Sequence, residues 1–303
     1  MNISSKIILT TIIVVATVIV IKYKTIETYA KCPLIIPNKN IANIRSFIPA
    51  SLYNITRQKI PKIIVQTNEH QTVPVDMLKS INTIVRNNPD YSYIYYDNED
   101  ARNFIIENYP RDVVKTYDKL IPGAFKADLF RYCFLYKMGG VYIDTSMMGL
   151  APLSTIVLPL DEFVSAEDNG TQGIYNAIMA SIPNHPILKT AIEMCVYNIT
   201  TEYYGNSPLD ITGPMLLAKA FKKVTGAAYI KPDIRYSFKE STGLISMVSF
   251  IKTDDCTGSG IISLHGKACL QTKYPTYYAD AKWYNTNEHY SRLWDRRMVY
   301  KTC

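Results

Sequence analysis

Apolar residues recur along this chain at two periods, and the switches between them outline an α/β protein. Ile60-Pro61-Lys62-Ile63-Ile64-Val65-Gln66 is a short apolar run that ends in polar residues, as a buried first strand does. From Pro74 to Arg86 the period lengthens, with Met77, Ile81, Ile84 and Val85 on one side of a helix. Asn87-Asn88-Pro89-Asp90 stops it. Tyr91 to Tyr96 is aromatic and β-prone, so it predicts a second strand. Ala101 to Tyr109 predicts another helix, ended at Pro110. Strand, helix, strand, helix in that order implies a mainly parallel central sheet with right-handed crossovers.

Further helices are predicted from about His185 to Tyr197 and from Pro214 to Val224. Pro214 suits the first turn of the second, and Gly226 its end. From Tyr274 onward the chain is rich in Tyr, Lys and Trp and shows little periodicity. No repeat and no low-complexity segment interrupts the pattern.

The amino terminus departs from this pattern. Ile7 to Ile21 carries no charge and is mostly Ile, Val and Thr. As a helix it spans about 22 Å, short of a hydrocarbon core of roughly 30 Å, and snorkelling Lys22 and Lys24 lengthen its reach. The expectation is an uncleaved single-pass anchor over residues 1–24, then a stem or linker over 25–57 and one domain over 58–303. The rival is a signal peptide cleaved near Thr28-Tyr29-Ala30, which lies far beyond the apolar run. Lys6 precedes the segment and Lys22, Lys24 and Lys31 follow it, so charge does not decide the orientation. Asn54-Ile55-Thr56, Asn169-Gly170-Thr171 and Asn198-Ile199-Thr200 match the glycosylation acceptor pattern and favour a type II arrangement with the domain in the Golgi or ER lumen. Cys256 and Cys269 flank a segment suited to a small disulfide loop, whereas Cys133 reads as a buried thiol.

Composition narrows the partners. The chain has 303 residues and a formal net charge of +7, which favours an anionic ligand such as a nucleotide diphosphate or a membrane surface. The basic residues are scattered and form no stripe, zinc finger or aromatic RNA-binding motif, so nucleic acid is not expected. The 24 tyrosines fit half-buried strands and ring stacking.

The candidate chemistry concentrates between Gly123 and Asp144. Ala124 to Met138 predicts a helix, Gly139-Gly140 a left-handed break, and Val141-Tyr142-Ile143 a strand with Asp144 at its carboxyl end. Ligands of parallel α/β sheets bind at such strand ends. Asp128 and Arg131, three apart, share a helix face among Leu129, Phe130, Cys133 and Phe134. A salt bridge that neutralises both is the structural explanation. The functional one is that Asp128 accepts from sugar hydroxyls while Arg131 presents a fork to an oxygen-rich ligand. Tyr142, Asp144 and Ser146 alternate onto one face if the strand continues.

Ala127-Asp128-x-x-Arg131 followed by Gly139-Gly-Val-Tyr-Ile-Asp144 resembles the core of glycosyltransferase family 32, which includes mannosyltransferases, capsular polysaccharide transferases and, more distantly, glucosylating toxins. The likeness extends from Ile60 through Thr212-Gly213-Pro214 and, more weakly, to Tyr277-Tyr278 and His289-Tyr290. It implies a GT-A fold and transfer of a hexose from a GDP- or UDP-sugar, with retention, to a glycan or glycolipid acceptor. It assigns Asp128 and Arg131 to the donor and Asp144 to an Asp-x-Asp motif holding ribose and a metal-bound diphosphate. Gln66 and Thr67 stand where such proteins bind the nucleoside, and Asn176 where they line the donor pocket; Tyr142 joins the same set.

The sequence departs from the family at Asp144-Thr145-Ser146, where a hydroxyl replaces the second carboxylate. Mn²⁺ or Mg²⁺ held by Asp144 and Ser146 is the expected cofactor, with Glu167 and Asp168 as candidates to complete the site, since hard cations prefer carboxylate oxygens. The metal, Arg131 and a C-terminal lysine are the groups expected to stabilise a leaving diphosphate. Trp283 is a weaker candidate for stacking on a base or sugar. The contrasting expectation is a non-catalytic descendant that binds nucleotide sugar or carbohydrate.

Overall fold

A computed structural model describes residues 38–52, 57–168, 171–237, 244–253, 259–285 and 287–301. Two short strands, Ile41–Asn43 (β1) and Phe47–Ile48 (β2), lead into Ile63–Thr67 (β3) and Thr72–Pro74 (β4). Helix Val75–Asn87 (α1) follows, then strand Ser92–Tyr96 (β5) and three helices, Asn98–Asn108 (α2), Arg111–Lys119 (α3) and Gly123–Met138 (α4). Strands Gly140–Ile143 (β6), Met148–Gly149 (β7), Asp161–Glu167 (β8) and Ile174–Ser181 (β9) precede helices Pro186–Thr200 (α5) and Pro214–Thr225 (α6). Strands Ile234–Tyr236 (β10), Leu244–Lys252 (β11), Gly260–Leu264 (β12) and Lys267–Gln271 (β13) lead to short helices Tyr277–Tyr284 (α7) and Tyr290–Asp295 (α8).

One sheet runs in the order β2-β5-β3-β6-β9-β8-β11-β12-β13-β7, with β10 on β11; β1 pairs separately with β4. The expected mainly parallel sheet is corrected to a mixed one. Only β3–β5, β3–β6 and β8–β11 pair in parallel among the described strands. The cause is local. β8 returns to β9 through a loop too short for a crossover, so the two pair antiparallel. β12 returns to β13 through His265-Gly266, both left-handed (φ 48° and 76°), which suits a two-residue hairpin.

The central strands are buried on both faces, and their alternation divides two cores. Val65, Tyr142, Phe163, Met179 and Met247 point into a core filled from α2, α3, α4, α5 and α6. Ile64, Val141, Ile143, Val164, Ile178 and Val248 point into the other, filled from α1 and the β12–β13 ribbon. Helix α4 has no polar side. Phe125, Leu129, Phe130, Tyr132, Cys133, Phe134 and Leu135 are buried all round it, and so are Asp128 and Arg131. A helix so enclosed lies in the core.

Gly139 and Gly140 fix how α4 meets β6. Both have positive φ, and a Cβ on Gly140 would stand 2.6 Å from the Ile63 carbonyl oxygen. Only glycine lets β6 approach β3 so closely.

Several expectations change. Residues 38–52, expected within the stem, contribute β1 and β2, which are too short to show a period. Asp97, unremarked in the sequence, caps α2 by accepting from the Glu99 and Asp100 amides at 2.9 Å. Asn198 lies buried in α5, its amide nitrogen donating to the Asp210 and Ile211 carbonyls, so it is not an accessible glycosylation acceptor. Ile7–Ile21, Asn54-Ile55-Thr56, Asn169-Gly170 and Cys256 lie outside the described residues. No described helix is long and apolar enough to cross a membrane.

Candidate functional site

Helix α4 delivers Asp128, Arg131 and Tyr132 to the β6–β9 pair at the centre of the sheet, where their buried polar atoms find partners. The Asp128 carboxylate accepts from Asn176 Nδ2 at 2.9 Å and from Thr212 Oγ1 at 2.8 Å, and lies 3.4 Å from Arg131 Nη2. Arg131 Nη1 donates to the Asn176 carbonyl at 2.8 Å, and Arg131 Nε to Ala127 O, one turn back, at 3.1 Å. Asn176 Nδ2 also donates to Tyr132 OH at 2.9 Å, and that hydroxyl donates to Thr212 O at 2.7 Å. Buried charges require such pairing, because each would otherwise bear its full desolvation cost. Burial pushes the Asp128 carboxyl up, against the pull of Arg131 and the Thr212 and Asn176 hydrogen bonds. Burial works against the Arg131 charge too, but Tyr142, Asp144 and Asp128 outweigh it and hold the guanidinium protonated.

This network ends at Asp144. The Arg131 guanidinium lies over the Tyr142 ring, 4.3 Å from its centroid, and its Nη2 stands 3.3 Å from Asp144 Oδ1. Tyr142 OH donates to the same oxygen at 2.8 Å. From below, Gln66 Nε2 donates to the Asp144 carbonyl at 3.3 Å, while Gln66 Oε1 accepts from Tyr93 OH at 2.9 Å. Of Gln66, Thr67, Asp128, Arg131, Tyr142, Asp144, Ser146 and Asn176, Asp144 alone is substantially open: its side chain keeps 31% exposure, while the other seven residues are buried. The sequence therefore named one cleft residue, three groups that hold it (Tyr142, Arg131 and Gln66) and others buried around them.

Past Asp144 the strand alternation fails. The chain turns, with Met147 N–H donating to Asp144 O, and Ser146 faces the C-terminal segment. Ser146 O accepts from the Tyr274 amide at 3.0 Å, and Ser146 Oγ donates to Thr272 O at 3.1 Å. Lys273 Nζ, between those two residues in the chain, donates to Ser146 Oγ at 3.2 Å. The ammonium lies 4.2 Å from the Tyr277 ring centroid. Burial pushes the Lys273 ammonium pKa down, and Asp144 pulls it back up. Lys273 is the site residue missed by number, and Tyr277 stood only in the weak C-terminal likeness. The contact joins positions 127 apart, from a segment without periodicity, and no local signal marks it.

Glu167 is buried at the end of β8. Asp168, just past the end of β8, accepts from Thr171 Oγ1 at 3.2 Å, and β9 separates β8 from β6. Trp283 donates from Nε1 to Asp280 at 3.2 Å. Among the described residues, no three His, Cys, Asp or Glu side chains gather as a metal site would require.

A divalent ion held by Asp144 and Ser146 fits this donor set poorly. The Ser146 hydroxyl already donates to a carbonyl and accepts from an ammonium. An oxygen-bound dication at that hydroxyl would stand within about 6 Å of Lys273 Nζ, a repulsion of the order of 5 kcal/mol at an effective dielectric of ~20.

With this geometry in place, comparison with known proteins is informative. Residues 74–167 match the family described as glycosyltransferase sugar-binding region containing DXD motif. Inositol phosphoceramide mannosyltransferase 2 of Schizosaccharomyces pombe is 31% identical over 165 residues, 54% of this chain and 47% of that protein. Mannosyl phosphorylinositol ceramide synthase CSH1 of Saccharomyces cerevisiae is 28% identical over 237 residues, 74% of this chain and 61% of that protein. The chain thus spans about half to three-fifths of the length of these relatives. Among solved structures, the PaToxG glycosyltransferase aligns with a TM-score of 0.44 at 18% identity, covering 55% of this chain and 69% of that one.

Proposed function

We propose, from the match of residues 74–167 to the DXD-containing glycosyltransferase sugar-binding family, that the chain is a glycosyltransferase of GT-A type that moves a hexose from a nucleotide sugar, with retention, to a glycan or lipid-linked acceptor. The observation that carries this reading is the half-open Asp144 carboxylate at the carboxyl end of β6, fixed by Tyr142 and Arg131. Such a carboxylate accepts hydrogen bonds from donor hydroxyls, and its rigid support lowers the cost of orienting it in the transition state. Arg131 acts through Asp144 rather than on the donor, because it is buried beneath it. Mannose is the favoured hexose and a ceramide-linked glycolipid the favoured acceptor, since both yeast relatives carry those words in their names.

The reading extends to the amino terminus, where Ile7–Ile21 acts as a type II anchor holding the domain against the membrane that carries such an acceptor. Retention of the full-length chain in alkali-washed membranes supports the anchor, and its release excludes it.

The test uses the full chain in detergent with GDP- and UDP-hexoses, scored for release of nucleoside diphosphate. Turnover of one donor is expected, with Asp144→Asn lowering it about 100-fold or more, the size of a lost transition-state contact. Donor binding without turnover would instead favour the non-catalytic carbohydrate- or nucleotide-binding protein to which Ser146 points. Wild-type turnover in Asp144→Asn would remove Asp144 from the site.

A further inference from the structure

We infer that the ammonium of Lys273 occupies the place of the divalent cation, so that this chain binds the diphosphate of its donor without metal. The inference rests on the reading of the cleft as a nucleotide-sugar site.

Three observations converge on it. The residue that replaces the second carboxylate, Ser146, holds the lysine: its hydroxyl accepts from Lys273 Nζ at 3.2 Å. The same serine fixes the backbone on either side, through Thr272 O at 3.1 Å and the Tyr274 amide at 3.0 Å. Lysine and serine are therefore one unit, with no hinge between them. The anchoring serine stands two residues past Asp144, so the lysine is tethered to the same turn that carries the one open carboxylate of the site.

Charge follows the same logic. Arg131 is matched by Asp128 and Asp144, 3.4 and 3.3 Å away. Among the described residues, Lys273 has no carboxylate within ion-pair distance, and its ammonium meets a neutral hydroxyl and the Tyr277 ring. An ammonium has three hydrogens, and Ser146 takes one, so the group retains donors for an anionic ligand. An aspartate at position 146 would pair with Lys273 and neutralise it. Serine holds the lysine in position and leaves its charge to the ligand. The hydroxyl at 146 and the ammonium at 273 thus complement one another at one point.

In the transfer step the donor C1–O bond breaks and its electron pair stays on the diphosphate oxygen. The acceptor hydroxyl oxygen forms the new C1–O bond, and its proton passes to the departing diphosphate. Negative charge on that diphosphate rises as the bond breaks, and Lys273 is the fixed cation that meets it.

Calorimetric titration of GDP and UDP into the full chain tests this, once in EDTA and once in Mn²⁺. Wild type should bind one of the two nucleotides with affinity that changes less than about threefold between the two conditions. Lys273→Met should lower metal-free affinity about 10- to 100-fold, the worth of a charge-assisted hydrogen bond, and Lys273→Arg should restore most of it. Ser146→Asp should weaken metal-free binding and create a dependence on Mn²⁺. Binding by wild type only in Mn²⁺ would overturn the inference and leave the glycosyltransferase reading standing. Unchanged affinity in Lys273→Met, with melting temperature preserved, would do the same. Failure of wild type to bind either nucleotide in either condition would overturn the donor site itself.

Discussion

The two sides of Asp144 are built on opposite principles. On one side Asp128, Arg131, Tyr142, Asn176 and Thr212 form a closed set in which the opposite charges are paired and the polar atoms bonded inside the protein. On the other, Ser146 and Lys273 form an open set in which a cation is tethered by a neutral hydroxyl. A closed network rigidifies the fold and gains little from a ligand. An open one keeps electrostatic attraction in reserve for whatever anion enters. The comparison therefore separates stability from affinity: substitutions on the closed side should unfold the protein, and those on the open side should only empty it.

The largest expected effect breaks the closed side. Asp128→Ala removes the acceptor shared by Thr212 and Asn176 and leaves buried Arg131 with one carboxylate fewer. Such a loss costs about 3–5 kcal/mol, because uncompensated buried charge and orphaned donors remain. Urea unfolding should show it. Lys273→Met in the same assay should stay within about 1 kcal/mol, as for a residue that is not part of a buried ion pair. Equal destabilisation by both would erase the distinction.

The next effect concerns acid, and it belongs to the framework behind the closed side. His185 caps α5, its Nδ1 accepting the Ile187 amide at 3.3 Å, with its ring packed 5.2 Å from that of Phe163 on β8. Burial pushes the imidazole down to about 4, against a smaller opposing pull from Glu162. The folded state therefore keeps His185 neutral while the unfolded chain binds a proton near pH 6.5. Between about pH 6.5 and pH 4 the unfolded state holds more protons, so stability is full above that window and falls as pH drops through it. The loss is about 1.4 kcal/mol per unit, or about 3 kcal/mol in all. His185→Asn keeps a capping acceptor and should flatten this part of the slope in unfolding measured at pH 7.5 and 4.5. An equal slope in the variant would place the acid sensitivity elsewhere.

The same division explains what could be read from the chain. The closed side was legible because α4, the Gly139-Gly140 break and β6 are contiguous, so one stretch carries helix period, turn chemistry and strand end together. An acid and a base inside an apolar helix announced themselves as a buried pair. Their role was less legible: only three dimensions show that Gln66 and Arg131 are buried against Asp144, and Asn176 against Asp128, rather than open to the cleft. The open side was illegible by number. Ser146 was noticed as a departure, yet its partner lies 127 residues away in a stretch of tyrosines without a period. The sheet direction failed for a related reason: βαβ spacing predicts parallel pairs near β3, whereas the short β8–β9 loop and the His265-Gly266 turn reverse the strands around them.

The smallest effect sharpens the open side. Lys273 Nζ lies 4.2 Å from the centroid of the Tyr277 ring, a distance at which the ring's negative face attracts an ammonium. Tyr277 follows the turn made by Tyr274, Pro275 and Thr276, and its own amide donates to Tyr274 O, so the ring is placed by the same segment that carries the lysine. If the ring only holds the ammonium, the phenol oxygen is dispensable and the π face is not. Tyr277→Phe should then bind the nucleoside diphosphate within about twofold of wild type. Tyr277→Leu keeps bulk but removes the quadrupole, and should bind about 3- to 10-fold more weakly, matching a cation–π contact of about 0.5–1.5 kcal/mol. In Lys273→Met the difference between Phe and Leu at 277 should vanish, because the cation it acts through is gone; a difference that persists would mean that the ring touches the nucleotide itself.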